Sequence, residues 1–161
     1  MVELIDIISY ILKYYPHKNE LSNARLTKMI YLMDWRSAFD YGKTITNINW
    51  YFDNYGPFVH DIEDTINDNL NIIQPIYTNT IYGTKKKLFV LKNDNICMEN
   101  ISENVQKIID TIIAKTKGMY WQQFINFVYS TYPIITSERY TYLNLLQKAV
   151  QYKEELSEEG D

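Results

Sequence analysis

The fold of this chain is decided by RLTKMIYLMDW at residues 25–35, followed by YGKTI at 41–45 and WYFDNYGPFV at 50–59. The first of these segments predicts a helix, because apolar side chains recur in it at a spacing of three and four residues. These side chains are Leu26, Met29, Ile30 and Met33, and Tyr31, Leu32 and Trp35 widen the apolar face. A helix that is apolar over so much of its circumference is expected at the centre of a core. Ser22 is placed to cap its N-terminus, and Gly42 is placed to end it after Tyr41.

The aromatic segment after this helix favours extended backbone. Residues 49–55 are rich in Trp, Tyr and Phe, which are typical of strands. Gly56-Pro57 follows and predicts a turn, after which Pro57 is suited to the first position of a helix over 58–68. The sequence therefore predicts a strand, a turn and a helix in this order.

The rest of the chain reads mainly as helices. An apolar stripe over residues 2–15 predicts a first helix, which Pro16 ends. Residues 72–82 and 88–91 predict a hairpin around 83–85. Later helices are predicted from the cap Ser102 to residue 117, over 120–129, and over 140–156. The expected fold class is α+β: a mainly helical single domain, residues 1–156, with a small antiparallel β-sheet or hairpin, followed by a frayed acidic tail over 157–161.

Composition limits the functions that fit. The chain has 161 residues, 46% of them hydrophobic, and a net charge of −4. This acidity argues against a broad nucleic-acid-binding surface, which needs excess positive charge. The one dense basic run, residues 85–87, is expected at the hairpin tip. The absence of a basic segment after Met1, and of an apolar run of roughly 18 residues, predicts a cytoplasmic protein without membrane contact.

The residues that catalysis requires are sparse. His60 and Asp64 lie four positions apart on a predicted helix, but two ligands do not make a metal site. The single cysteine, Cys97, lies near Asp94 and Glu99, which disfavour a reactive thiolate. No nucleophile elbow or glycine-rich phosphate loop is present. The sequence predicts no catalytic residues, no metal and no cofactor. A metal-dependent hydrolase built on His60 is the weakest alternative.

The aromatic strand is the best candidate for a binding surface. Alternation along a strand places Trp50 and Phe52 on one side, and Tyr51 and Tyr55 on the other. If the first side is core, the second exposes two tyrosines near Trp35. Exposed Tyr and Trp beside acidic residues suit recognition of another protein. The alternative is that all of these rings form a core under the small sheet.

Three motifs in this region resemble those of the SocA-like antitoxin family, the Panacea domain. The family typically has a helix reading Lys-Leu-hydrophobic-Tyr, then Tyr-Gly-Lys-Pro-hydrophobic, then Gly-Pro-hydrophobic. The corresponding residues here are KMIY at 28–31, YGKTI at 41–45 and GPFV at 56–59. Members often carry a Thr-His pair and Pro-Trp in the late aromatic helix, where this chain reads STYPI at 130–134, without the histidine and the tryptophan. The resemblance is strongest over residues 22–66.

This resemblance implies a non-enzymatic antitoxin that binds and neutralises a toxin protein, usually encoded beside it. Family members occur in phage and mobile elements, and one branch acts as a proteolytic adaptor that delivers its toxin to an ATP-dependent protease. A DNA-binding regulator that uses residues 85–87 is a further alternative. An acidic antitoxin would associate faster with a basic toxin active site. The predicted partner-binding residues are Trp35, Tyr51, Tyr55, Phe58 and Asp61, with Gly56 and Pro57 shaping the turn.

Overall fold

The computed structural model describes residues 2–160. In this range the chain forms seven α-helices, one short 3-10 helix and two antiparallel strand pairs. The helices are α1 (Leu4–Tyr14), α2 (Asn23–Tyr41), α3 (Asp61–Asn67), α4 (Glu103–Thr116), α5 (Trp121–Tyr129), α6 (Tyr132–Ile135) and α7 (Leu145–Glu159), and the 3-10 helix spans Lys18–Glu20. The strands are β1 (Phe52–Asp53), β2 (Gly56–Pro57), β3 (Ile73–Asn79) and β4 (Lys85–Leu91). The fold is a mainly helical α+β domain, as predicted.

Helix α2 is the centre of the molecule, and both of its predicted ends are confirmed. The Ser22 side chain accepts a hydrogen bond from the backbone N–H of Arg25, and Gly42 ends the helix with a φ of 70°. This left-handed conformation favours glycine because other residues carry a Cβ that crowds the backbone there. Most of α2 is buried, including polar positions, and it packs against α3, α4 and α7. The wide apolar face of α2 therefore has helices on several sides.

Arg25 joins two other parts of the chain, the end of α1 and the end of α4, to α2. One of its guanidinium nitrogens donates to the Tyr15 hydroxyl at 2.8 Å, the Thr116 carbonyl at 3.0 Å and the Met119 carbonyl at 2.9 Å. Its nearest carboxylate is that of Glu20, at 3.5 Å. Because the side chain is buried, these contacts replace the water that a guanidinium otherwise binds. They fix the first helix and the end of α4 relative to α2.

The predicted β3–β4 hairpin is confirmed, but its basic run lies elsewhere than expected. Pairing extends from Ile73 opposite Leu91 to Asn79 opposite Lys85, so the three lysines belong to β4 rather than to the tip. Lys86 donates to the carbonyl of Asn19, and Lys87 lies 3.4 Å from a Glu63 carboxylate oxygen. Because β4 pairs with β3 along its whole length, the three lysines are strand residues, and two of them contact other parts of the chain.

The C-terminal third departs most from the prediction. Ser102 caps α4 and α5 lies where expected, but Pro133 sits inside a further short helix, α6. The last helix begins at Leu145, not at residue 140, and ends at Glu159 rather than near residue 156. Likewise, the helix predicted from residue 58 begins at Asp61. The division into a domain over 1–156 and a tail stays a prediction, and Asp161 lies outside the described residues.

Candidate functional site

A small three-segment sheet forms one side of the molecule. Strand β1 pairs with β2, so Gly56-Pro57 is not the turn itself; residues 54–55 make the turn, and the predicted strand over 49–55 is regular for only two residues. On its other side the segment 50–52 is joined by residues 140–143. The Phe52 N–H donates to the Thr141 carbonyl at 2.9 Å, and the Leu143 N–H donates to the Trp50 carbonyl at 2.7 Å. This pairing is why residues 140–143 run beside residues 50–52 instead of forming a helix.

The sheet has one buried and one open side. Trp50, Phe52 and Leu143 point into the core. Tyr51 and Tyr142 are cross-strand partners on the open side, with ring centroids 5.1 Å apart. The predicted alternation is therefore confirmed for Trp50 and Phe52, and the interpretation of every ring here as core is wrong.

Four tyrosines make up this open side, which we call the tyrosine face: Tyr51, Tyr55, Tyr140 and Tyr142. Tyr55 is 81% exposed at the hairpin turn, and Tyr142 is 67% exposed. The Tyr140 hydroxyl donates to the side chain of Asn54, which links the segment 140–143 to the turn. Tyr140 itself has a φ of 69°, which is uncommon for a residue with a Cβ. Tyrosine rings held in this way offer large contact area with a polar tip.

Helix α7 extends the apolar character of the tyrosine face. Leu146 and Val150 lie four residues apart on α7 and are both exposed. Leu146 and Tyr142 also line an open cleft of about 340 Å³, whose floor includes the Trp50 side chain. Exposed rings and aliphatic side chains beside a cleft are typical of a protein-binding surface.

A buried carboxylate supports this surface from below. Asp34 of α2 accepts hydrogen bonds from the N–H groups of Ile45 (2.8 Å) and Thr46 (3.0 Å), from the Thr46 hydroxyl, and from the Trp50 indole at 2.8 Å. Burial raises the pKa of Asp34 above its ordinary value, and the hydrogen bonds oppose this shift. Asp34 thus fixes the loop after α2 and the Trp50 ring that underlies the cleft.

Of the other predicted contact residues, Phe58 adjoins the tyrosine face, whereas Trp35 and Asp61 line other clefts. Trp35 packs against Phe39 and Tyr152 and lines a separate groove of about 350 Å³. The Phe58 N–H donates to the Tyr51 carbonyl at 2.9 Å, and the Phe58 ring is half-buried against His60. Asp61 lies at the start of α3, beside a cleft that includes the N-terminal end of α1. The structure brings Tyr51, Tyr55 and Phe58 together at one hairpin but does not bring Trp35 or Asp61 to it. Their role in partner binding stays a prediction.

Gly56 and Pro57 are buried and hold the β1–β2 hairpin in shape. Gly56 has a φ of 101°, which favours glycine. A Cβ built on it would lie 3.4 Å from the Tyr129 ring and 3.7 Å from Cε of Lys28. Burial lowers the pKa of Lys28 to about 8, and the charge of Asp53 partly opposes this shift.

The other groups considered from the sequence form no reactive cluster in residues 2–160. No set of three or more His, Cys, Asp or Glu side chains is arranged to hold a metal there. His60 stands at the start of α3 with its ring 5.2 Å from that of Phe58, and Cys97 is exposed. None of the helices described is long and apolar enough to cross a membrane.

Sequence reasoning missed Tyr140, Tyr142, Leu146, Val150 and Lys28 as candidates. The first two were assigned to a helix, because their neighbours Leu145 and Leu146 continue a helical spacing. Leu146 and Val150 recur at i and i+4, which indicated an apolar face but not that it would be left exposed. Lys28 stands among the apolar residues of α2, and this placement is the sequence signal for a buried lysine.

Thr131 gives the segment 130–134 a structural role in this chain. Its hydroxyl lies 2.8 Å from that of Tyr31, and both side chains are buried. The pair connects the end of α5 to the middle of α2. The Tyr31 ring in turn contacts Trp50 edge-on, with centroids 5.6 Å apart. The segment thus helps to hold the residue beneath the cleft.

Comparison with known proteins identifies the family. The family model described as "Antitoxin SocA-like, Panacea domain" matches residues 26–133, about two thirds of the 161-residue chain. No curated protein and no solved structure matched. The matched segment runs from α2 to α6 and includes Asp34, Tyr51 and Tyr55, while Tyr140 and Tyr142 follow it. This match shows that the chain belongs to the SocA-like antitoxin family, the Panacea domain.

Proposed function

We propose that this protein neutralises a toxin by binding it directly through the tyrosine face and the adjoining side of α7. Membership in the family supports an antitoxin-type role, a toxin partner in general and a non-catalytic role. We choose this surface because residues 50–52 pair with residues 140–143. This pairing aligns tyrosines from distant parts of the chain next to an apolar strip on α7.

The chemistry of this surface suits a protein partner. Tyrosine is enriched among the residues that contribute most to binding, because its ring buries a large area at a small entropic cost. Leu146 and Val150 supply apolar area at one side, and the cleft beside Trp50 can receive a side chain of the toxin. The acidic net charge of −4 favours encounter with a basic toxin surface.

The test is toxin binding by a variant with Tyr55→Ala and Tyr142→Ala. The probe is the protein encoded by the adjacent gene, purified and titrated into this chain, with growth rescue in co-expressing cells as the second readout. We expect each substitution to weaken binding by about 30-fold, the effect of losing a contact worth roughly 2 kcal/mol. Rescue of growth should fail while the circular dichroism spectrum stays native.

The hairpin β3–β4 provides a matched control. Tyr77 and Tyr82 are comparably exposed, and they lie outside the tyrosine face. Replacing both with Ala should leave toxin affinity unchanged. Equal affinity of the Tyr55/Tyr142 variant and the control would refute the proposed surface. If the neighbouring protein is toxic and this chain shortens its lifetime instead of holding it in a complex, the proteolytic-adaptor alternative applies.

A further inference from the structure

Lys28 is a buried lysine whose charge is not paired with a carboxylate within the described residues. It lies on α2 with 2% of its surface exposed. Its ammonium makes no hydrogen bond and no ion pair within 4 Å with any residue in the range 2–160. Within that range, Arg25 Nε is the one side-chain nitrogen or oxygen that is fully buried and has no hydrogen-bond partner. Lys28 Nζ also has no hydrogen-bond partner, so it is not fully buried and keeps a small opening to solvent. The stem of Lys28 is therefore packed away, while its charged end stays available.

The surroundings of Lys28 Nζ contain one further polar group that is free to bind. Lys28 Cε and the Tyr129 ring both lie next to Gly56, at 3.7 Å and 3.4 Å from the position of a Cβ on that glycine. Within the described residues, the Tyr129 hydroxyl also makes no hydrogen bond. Phe58 covers another side, with its ring centroid 5.9 Å from Lys28 Nζ. An amine and a hydroxyl thus lie around one hairpin glycine, next to apolar walls.

The buried charge of Lys28 lowers the stability of the unbound protein. Burial disfavours the charged ammonium, and Asp53, whose charge acts on Lys28, is too far away to form an ion pair. A cation that is already desolvated loses little more hydration when an anion arrives, so it is organised in advance for a charge-assisted hydrogen bond. A carboxylate fits better than a phosphate, because a single negative charge is repelled less by Asp53.

We propose that Lys28, together with the Tyr129 hydroxyl, receives a carboxylate group of the toxin at the β1–β2 hairpin. This inference rests on the proposed function. The hairpin connects the two sites, because Tyr55 in its turn belongs to the tyrosine face and the next residue, Gly56, borders Lys28. One partner can therefore contact the tyrosine face and place an acidic side chain or its C-terminus at Lys28.

The experiment is Lys28→Met, measured for both stability and toxin affinity. Methionine keeps the length of the stem and removes the charge. We expect the melting temperature to rise by about 6 to 12 °C, since an unpaired buried charge is removed from a chain of this size. Toxin affinity should fall at least about 30-fold, as expected when one member of a buried charge pair is lost. Lys115→Met, at an exposed position on α4, is the matched control and should change neither quantity.

The opposite signs of the two effects separate this proposal from a structural role of Lys28. A variant that loses stability and affinity together, or that binds toxin as the wild type does, would overturn it. Acetate serves as a second probe, with the Lys28 side-chain carbon signals followed by NMR. Acetate should raise the pKa of Lys28 and compete with the toxin. Binding of acetate without competition would assign the site to small carboxylates and refute the toxin contact.

The proposed function and this inference fail in distinguishable ways. If the wild-type chain does not bind the toxin at all, the proposed function is wrong. The acetate titration then decides by itself whether Lys28 receives carboxylates: an unchanged Lys28 signal would refute the site.

Discussion

Replacing the buried carboxylate of Asp34 by an amide tests whether this residue holds the support of the tyrosine face. In Asp34→Asn one oxygen remains to accept from the N–H groups of Ile45 and Thr46. The other oxygen, which accepts from the Trp50 indole and the Thr46 hydroxyl, becomes an NH₂ group. The Thr46 hydroxyl can turn to accept from this group, but the indole N–H can only donate. One buried donor is thus left without an acceptor.

The expected cost follows from that single orphaned group. An unsatisfied buried donor costs about 1 to 3 kcal/mol, and a hydrogen bond to a charged acceptor lies in the same range. We therefore expect Asp34→Asn to lower the free energy of unfolding by about 2 kcal/mol. In a chain of this length this corresponds to a drop in melting temperature of about 4 to 8 °C. Urea unfolding followed by tryptophan fluorescence and circular dichroism would measure it.

A double-mutant cycle with Trp50→Phe isolates the contact. Phenylalanine fills part of the ring volume and has no N–H, so Asp34→Asn should cost markedly less in this background. A coupling energy of about 1 kcal/mol or more between the two positions is expected. An Asp34→Asn variant as stable as the wild type, or one with the same cost in both backgrounds, would refute the role assigned to the indole hydrogen bond.

Three further predictions concern other buried polar groups. Arg25→Met should reduce the free energy of unfolding by about 3 kcal/mol, because it strands acceptors that the guanidinium satisfies; urea unfolding checks this, and a loss below about 1 kcal/mol would contradict it. Tyr31→Phe should cost about 1 kcal/mol in wild type and nearly nothing after Thr131→Val, as measured by thermal unfolding. The unfolded chain binds the Lys28 proton up to the ordinary pKa of 10.5 and the folded chain only up to about 8. Stability therefore rises by about 3 kcal/mol relative to Lys28→Met as the pH increases through this window, and parallel curves for the two proteins would contradict the shift.

The features that could be predicted from sequence are those decided by neighbouring residues. Ser22 and Gly42 mark the ends of α2 through interactions within one helical turn. The β3–β4 hairpin follows from alternating residues around a short turn. Local rules are sufficient in these places because the interacting groups are close in the chain.

The misjudged features depend on residues distant in sequence. Tyr140–Leu143 continue a helical pattern, but their backbone groups pair with residues 50–52. Gly56-Pro57 are an exception, because they form β2 by pairing with Asp53 and Phe52, only a few residues earlier. For the candidate site, the alternation of side chains identified Tyr51 and Tyr55, whereas the positions of Tyr140 and Tyr142 depended on this distant pairing. The separation of Trp35 from the tyrosines arises from α7, whose Tyr152 packs against Trp35.

The cross-strand contact between Tyr51 and Tyr142 has a consequence for the time at which the protein matures during synthesis. The two residues are separated by 91 positions. A ribosome that adds about 5 to 20 residues per second needs roughly 5 to 20 s to pass from one to the other. During this interval a nascent chain carries Tyr51 and Tyr55 but no strand to align them. The tyrosine face is consequently assembled only after the segment that contains Tyr142 has left the ribosome, and any binding that depends on this face comes later still.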